Sequence, residues 1–151
     1  ILVKIYTDGA SKGNPGPGAY AVILQYKGQR NEFTQGFRQT TNNRMELLAV
    51  IAGLEALKQD RQQIAIYSDS KYVVDAVEKG WLKKWLKAGF KGKKNIDLWK
   101  RFWKLYQQHQ VTFYWVRGHT GDLDNERCDR LAVQRIQKGP LAIDEGYEYK
   151  L

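Results

Sequence analysis

Cysteine occurs once in the 151 residues, at Cys128. A single thiol excludes an internal disulfide and a cysteine-built zinc cage, and it suits a reducing compartment, so a cytoplasmic protein is expected. Long apolar runs are missing: none approaches the roughly 20 residues of a membrane helix, and no charged-then-apolar leader opens the chain. No membrane association is expected. The chain opens at Ile1 without a methionine, as a trimmed chain would. Internal repeats and linker-like stretches are also lacking, so residues 1–151 read as one domain, large enough to bury a core. Acids are scarce in one place. Residues 79–104 hold ten basic residues (Lys79, Lys83, Lys84, Lys87, Lys91, Lys93, Lys94, Lys100, Arg101, Lys104) and one acid, Asp97. That excess, 10 − 1, equals the net charge of the whole chain, +9, and leaves the remainder near neutral. A patch of one sign favours a polyanionic partner over an ordinary solvated surface, which mixes its signs.

What is present reads as an α/β chain. Residues 1–7, 18–26 and 31–37 are rich in β-formers and form three strands in a meander, the last two joined by a turn at Lys27-Gly28-Gln29-Arg30. Cap residues from Thr40 to Asn43 precede a helix over about 43–58, with Met45, Leu48, Ile51, Ala52 and Leu54 on its apolar side. Ile64–Tyr67 is a short strand ending on Ser68-Asp69. Helices follow over 70–79, 81–88 and 95–108, then a fifth strand over 111–116 and a closing helix over 125–138. From Gly139 onward the tail has little periodicity. Strands first in a meander and then alternating with helices predict a five-stranded mixed sheet with helices on both sides.

Four acids carry the candidate chemistry. Asp8 and Asp69 each close a predicted strand, and Glu46 and Asp129 fall in the first turn of their predicted helices. If the strands of Asp8 and Asp69 are neighbours, their carboxylates share one edge of the sheet. Crowded carboxylates persist only with a cation or a proton between them, and hard oxygen ligands suit magnesium or manganese better than zinc. Taken singly, Glu46 and Asp129 read as helix-end acids, and Asp69 as a cap. His119 lies between glycines in Trp115-Val-Arg-Gly-His-Thr-Gly121, a setting in which an imidazole can shuttle protons, whereas His109 reads as a surface residue.

Gly13-Asn-Pro-Gly-Pro-Gly18 lacks the spacing of a phosphate-binding loop and reads as a rigid turn that brings backbone amides near a substrate. Asn14, Asn42 and Asn43 are candidates for donors to a nucleic-acid backbone or minor-groove edge. Among the aromatics of the basic stretch, Trp99 and Trp103 read as packed between helices. The lysines between the rings, Lys83, Lys84 and Lys87, then face outward for phosphates.

Five stretches, in order along nearly the whole chain, resemble the type 1 ribonuclease H family. They are Tyr6-Thr-Asp-Gly-Ala-Ser-Lys-Gly-Asn-Pro-Gly-Pro-Gly18, Thr40-Thr-Asn-Asn-Arg-Met-Glu-Leu47, Tyr67-Ser-Asp-Ser70, Trp115-Val-Arg-Gly-His-Thr-Gly121 and Asn125-Glu-Arg-Cys-Asp-Arg-Leu-Ala132. Gly80-Trp-Leu-Lys-Lys-Trp85 is similar to the basic protrusion of the cellular, bacterial-like enzymes, here at about 80–100. The resemblance implies a ribonuclease H-like fold and a monomer that hydrolyses the RNA strand of RNA–DNA hybrids with two Mg2+ ions, Mn2+ being a substitute, leaving 5′-phosphate and 3′-hydroxyl ends. Asp8 would bridge the ions, Asp69 and Glu46 would complete their shells, Asp129 would hold the looser ion, and His119 would move protons or release product. Thr41 and Asn14 resemble the family's pocket for a DNA-strand phosphate, and Trp81 the aromatic wall beside it. Lys71 stands where bacterial relatives often carry a glutamine that touches the minor groove. Thr120 and Asp122-Leu123-Asp124 depart from the usual histidine loop, and changed metal dependence or product release, without loss of activity, is expected from them. Two other readings share these features: a hybrid-binding module without catalysis, and a strand-transfer enzyme or exonuclease on the same fold.

Overall fold

The computed structural model describes residues 2–117 and 122–150. Strands β1 (Leu2–Ser11), β2 (Gly16–Tyr26) and β3 (Gln29–Thr40) form the expected antiparallel meander. The β2–β3 turn has positive φ at both Lys27 (50°) and Gly28 (76°), the two-residue hairpin geometry whose twist matches the strands it joins. Next come α1 (Asn42–Glu55), β4 (Gln63–Ser68), α2 (Lys71–Glu78), α3 (Trp81–Lys87), α4 (Ile96–Tyr106), β5 (Gln110–Trp115) and α5 (Leu123–Lys138). The described residues form one sheet in the order β5-β4-β1-β2-β3-β6, with β4 and β5 parallel to β1. Its sixth strand, β6 (Leu141–Ala142), pairs parallel with Gly36 and Phe37 of β3 and is followed by the one-turn helix α6 (Glu145–Glu148). Both are too short to show a period, which is why the tail reads as featureless.

Side-chain alternation splits the core into two layers. Val3, Ile5, Ile64 and Ile66 face α1 to α4 and meet the fully buried Trp99 and Phe102. On the other face Ala19 and Ala21 leave room for α5 to approach, and Cys128 and Ala132 fill the contact. Burial pushes the Cys128 thiol well above its ordinary range, so this cysteine is a packing residue with no nucleophilic role. The helix α1 lacks the one-sided pattern expected of it. It is buried from Arg44 through Ile51 and again at Gly53 and Leu54, which makes it a central helix enclosed by the sheet and its neighbours.

Caps decide where the helices begin. Thr41 caps α1, its side chain accepting from the Arg44 N–H, and Ser70 caps α2 through the Val73 N–H. Asp122 caps α5 by accepting from the N–H groups of Asp124 and Asn125. The helix therefore starts two residues before the expected Asn125, and Asp129 falls in its second turn, not its first. Asp124 is also engaged: Arg30 donates to Oδ1 at 2.6 Å and Gln25 to Oδ2 at 3.3 Å. Both acids of the altered loop thus have structural partners. Asp122→Asn should leave a metal titration unchanged, whereas Asp122→Ala should cost about 1 kcal/mol of stability in urea unfolding.

Candidate active site

The parallel pairing of β1 with β4 ends at Tyr6 and Tyr67. Asp8 and Asp69 each lie two residues past that pair, so they stand at the same level along the two strands. Asp8 is not at a strand end as expected. Strand β1 runs on to Ser11 because Gly9, Ala10 and Ser11 still pair with Tyr20, Ala19 and Gly18 of β2. Asp69 does not cap α2. Ser70 does, and Ser68 Oγ accepts from the Ser70 N–H, so turn formation leaves the Asp69 carboxylate unused.

Glu46 arrives from the other direction. It sits in the second turn of α1, which crosses β1 at Gly9 so closely that a Cβ on Gly9 would collide with the backbone of Met45 and Glu46. That contact sets the site. The Gly9 N–H donates to Glu46 Oε1 at 2.5 Å and to Asp8 Oδ1 at 2.9 Å. Ligand atoms of Asp8, Glu46 and Asp69 all lie within 4.8 Å of one another, the group of this kind found among the described residues. Asp129, half-buried on α5, stands outside that group, though its charge still raises the Asp8 pKa. His119 lies outside the described residues. Gly9→Ala should separate α1 from β1 and lower activity on the order of 100-fold or more. Steady-state kinetics check this, with circular dichroism to show that the fold persists.

Electrostatically the three acids are in conflict. Asp8 and Glu46 are each 5% exposed, Asp69 more so. Burial pushes Asp8 up to about 8, with the charges of Asp69 and Asp129 adding to it against the hydrogen bonds from Glu46 and Gly9. Burial likewise drives Glu46 well above the carboxylate range, reinforced by the Asp8 and Asp69 charges. Metal-free, the pair holds a proton at neutral pH. An all-oxygen donor set that otherwise needs a proton fits a hard divalent cation.

The expected substrate residues fall on two surfaces. Asn14, Thr41 and Asn43 line an open groove of about 660 Å3 together with Lys93, Lys94 and Lys150. Asn42 serves that groove through its backbone, its N–H donating to Asn14 Oδ1 at 3.0 Å and tying the glycine-rich turn to the start of α1. Since α1 also carries Glu46, groove and acid cluster are built on one helix. The second surface is the protrusion, where Lys83, Lys84 and Lys87 are exposed on α3. Trp81 is 39% exposed, with Lys79 Nζ 5.3 Å from its ring centre. Lys71 is exposed at the first position of α2. Sequence reasoning missed Lys150, which the tail carries into the groove, and gave no role to Gly9, whose importance depends on a helix that crosses it 37 residues later. Among the described residues, His109 has a structural partner, its Nδ1 accepting from the Gln62 N–H at 3.2 Å.

Crowded acids just past the last paired rung of two central parallel strands, with a basic groove and a basic protrusion, define a class: α/β enzymes that act on polynucleotides. Comparison with known proteins resolves the class further. The RNase H family model matches residues 2–137. A ribonuclease H of Desulforamulus reducens is 53% identical over 147 residues, spanning 94% of this chain and 92% of the relative. The chain belongs to the ribonuclease H family, and within it to the type 1 enzymes. Among solved structures, LC9-RNase H1, described as a type 1 RNase H with the type 2 active-site motif, superposes with a TM-score of 0.77 at 31% identity, covering 99% of this chain and 80% of that one. LC11-RNase H1, solved in complex with an RNA/DNA hybrid, gives 0.66 at 25% identity, with 90% and 97% covered.

Proposed function

We propose that the chain cuts the RNA strand of RNA–DNA hybrids internally, with Mg2+ or Mn2+ ions held by Asp8, Glu46 and Asp69 and a second, looser position beside Asp129. The reading is carried by the convergence of three carboxylates within 4.8 Å just past the last paired rung of β1 and β4. Its support also includes family membership and the hybrid bound by LC11-RNase H1. Divalent cations bound there would polarise the scissile phosphate and lower the pKa of the attacking water, with products ending in 5′-phosphate and 3′-hydroxyl.

The protein's own residues bind and orient. The 2′-hydroxyl distinguishes the RNA strand, and Glu46 and Asn14 are the groups proposed to read it. Thr41, Asn14 and Asn43 would receive a phosphate of the DNA strand in the groove, with Lys93, Lys94 and Lys150 adding positive charge. Lys83, Lys84 and Lys87 would follow the backbone farther along, Trp81 beside them. His119 is proposed to move protons at the leaving end. Among the described residues no helix is long and apolar enough to cross a membrane. A cytoplasmic monomer is proposed.

The test is cleavage of a hybrid with labelled RNA, in Mg2+ or in EDTA. Internal cuts that require the metal, with duplex DNA and duplex RNA intact, are expected. Tight binding of the hybrid without cleavage in any divalent metal would make the protein a binder instead.

A further inference from the structure

Lys71 is oddly placed for a surface lysine. It opens α2, where a cation opposes the helix dipole, and among the described residues its ammonium has no acid partner. Its partner is a ring: Nζ lies 4.0 Å from the centre of Trp115. The same indole donates from Nε1 to the carbonyl oxygen of Asp69 at 3.2 Å. Trp115 is itself fixed from behind. It stands opposite Ser68 at the last rung of the β4–β5 ladder, and the next residue, Val116, donates its N–H to the Ser68 carbonyl at 2.8 Å. Yet the side chain is 41% exposed, so core packing does not account for a tryptophan there. One exposed ring thus holds residues 69 and 71 on either side of the helix cap Ser70.

We propose that Trp115 is a positioning residue for the reaction, whose indole edge fixes the Asp69 peptide for metal binding and whose face presents the Lys71 ammonium to a backbone phosphate of the hybrid. The inference rests on the hydrolase reading above. A free lysine gives up rotamer freedom when it meets a phosphate, and one already stacked on a ring gives up less. The edge contact works by the same logic on the other side. Orienting groups behind a metal ligand set its affinity without touching the ion.

Three single variants, Lys71→Gln, Trp115→Leu and Trp115→Phe, and the double variant Lys71→Gln/Trp115→Leu separate the two contacts. Hybrid binding is read by fluorescence anisotropy in EDTA across a salt series, and Mn2+ binding by calorimetry on the free protein. Lys71→Gln should reduce the slope of log K against log salt by about one. Trp115→Leu should weaken hybrid binding about three- to fivefold, and should add nothing to Lys71→Gln. Trp115→Phe keeps a ring face and should retain most hybrid affinity, while losing roughly tenfold in Mn2+ affinity with the N–H. If Trp115→Leu weakens hybrid binding equally with and without Lys71→Gln, or if Trp115→Phe binds Mn2+ as the wild type does, the inference is overturned. A wild type that neither binds nor cuts hybrids overturns the hydrolase reading itself. A wild type that cuts, with tryptophan variants indistinguishable from it, overturns this inference alone.

Discussion

Asp8→Asn abolishes hydrolysis and, in the absence of metal, makes the protein more stable. The two effects have one cause. In the folded chain burial holds the Asp8 carboxyl up to about 8 and Glu46 well above its ordinary range, whereas both titrate near 4 when unfolded. Between those values the native state binds more protons than the unfolded state. The contribution of this metal-free pair to stability is therefore fully present below about pH 4 and is lost as pH rises toward 8, with a slope on the order of 1 kcal/mol per pH unit. Asparagine carries no charge, and its amide can donate to Glu46, so the variant sheds that part of the slope. At pH 8 in EDTA it should exceed the wild type by roughly 1–3 kcal/mol, a rise of several degrees in melting temperature, and the gap should close near pH 4. Divalent metal should narrow it again, since the ion stabilises the wild type by binding only the folded state. Activity should fall on the order of 10³-fold or more, because the carboxylate lost is one of the groups proposed to hold the metal ions. Scanning calorimetry at three pH values, with and without Mg2+, checks both halves. A variant that melts at or below the wild type in EDTA at pH 8 would show that the acids are not in conflict.

The acids were legible in the sequence because their neighbours are local signals. Asp8 precedes a run of glycine and proline that no ordinary strand contains, and Asp69 sits between serines that build a turn. What the sequence concealed is set by long-range contact. Gly9 looks like one glycine among many, and only the crossing of α1 shows why a Cβ is excluded there. The second-turn position of Asp129 follows from Asp122 acting as the cap. Three residues before the expected helix start, Asp122 reads in the sequence as part of the metal's surroundings instead. The burial of α1 on nearly every side between Arg44 and Leu54 is likewise hidden, since its polar members Arg44 and Glu46 interrupt any apolar pattern while each is buried for a reason that lies elsewhere in the chain. The tail conceals most. Its two-residue strand and one-turn helix have no period to detect, yet it supplies Asp144 and Lys150 to places that matter.

Arg44→Met should cost the protein about 3–5 kcal/mol, the largest stability loss expected of a single substitution near the site. The guanidinium is 3% exposed and makes paired contacts with two acids: Asp97 at 2.9 and 2.8 Å, and Asp144 at 2.8 and 2.9 Å. Burial opposes its charge, and the hydrogen bonds that Arg44 donates to Asp97 and Asp144 outweigh that, holding Arg44 firmly protonated. Burial would raise Asp97, and Arg44 pulls it below its ordinary value. Asp144 also accepts from Thr40 Oγ1 at 2.7 Å and caps α6. One side chain thus joins the start of α1, the start of α4 and the C-terminal tail. Methionine fills the volume but leaves two acids without their cation, which is why the loss should greatly exceed that of an exposed pair such as Arg30–Glu32. The functional consequence is selective. Thr41, Asn43 and Lys150 line the groove around this network, whereas Asp8 and Asp69 are held by the sheet. Hybrid affinity should therefore fall more than the turnover rate at saturating hybrid. Urea unfolding of Arg44→Met, Asp144→Asn and the double variant is the check. Contact through a shared network requires the double to lose less than the two singles together. Strict additivity would mean that Arg44 and Asp144 stabilise the tail independently.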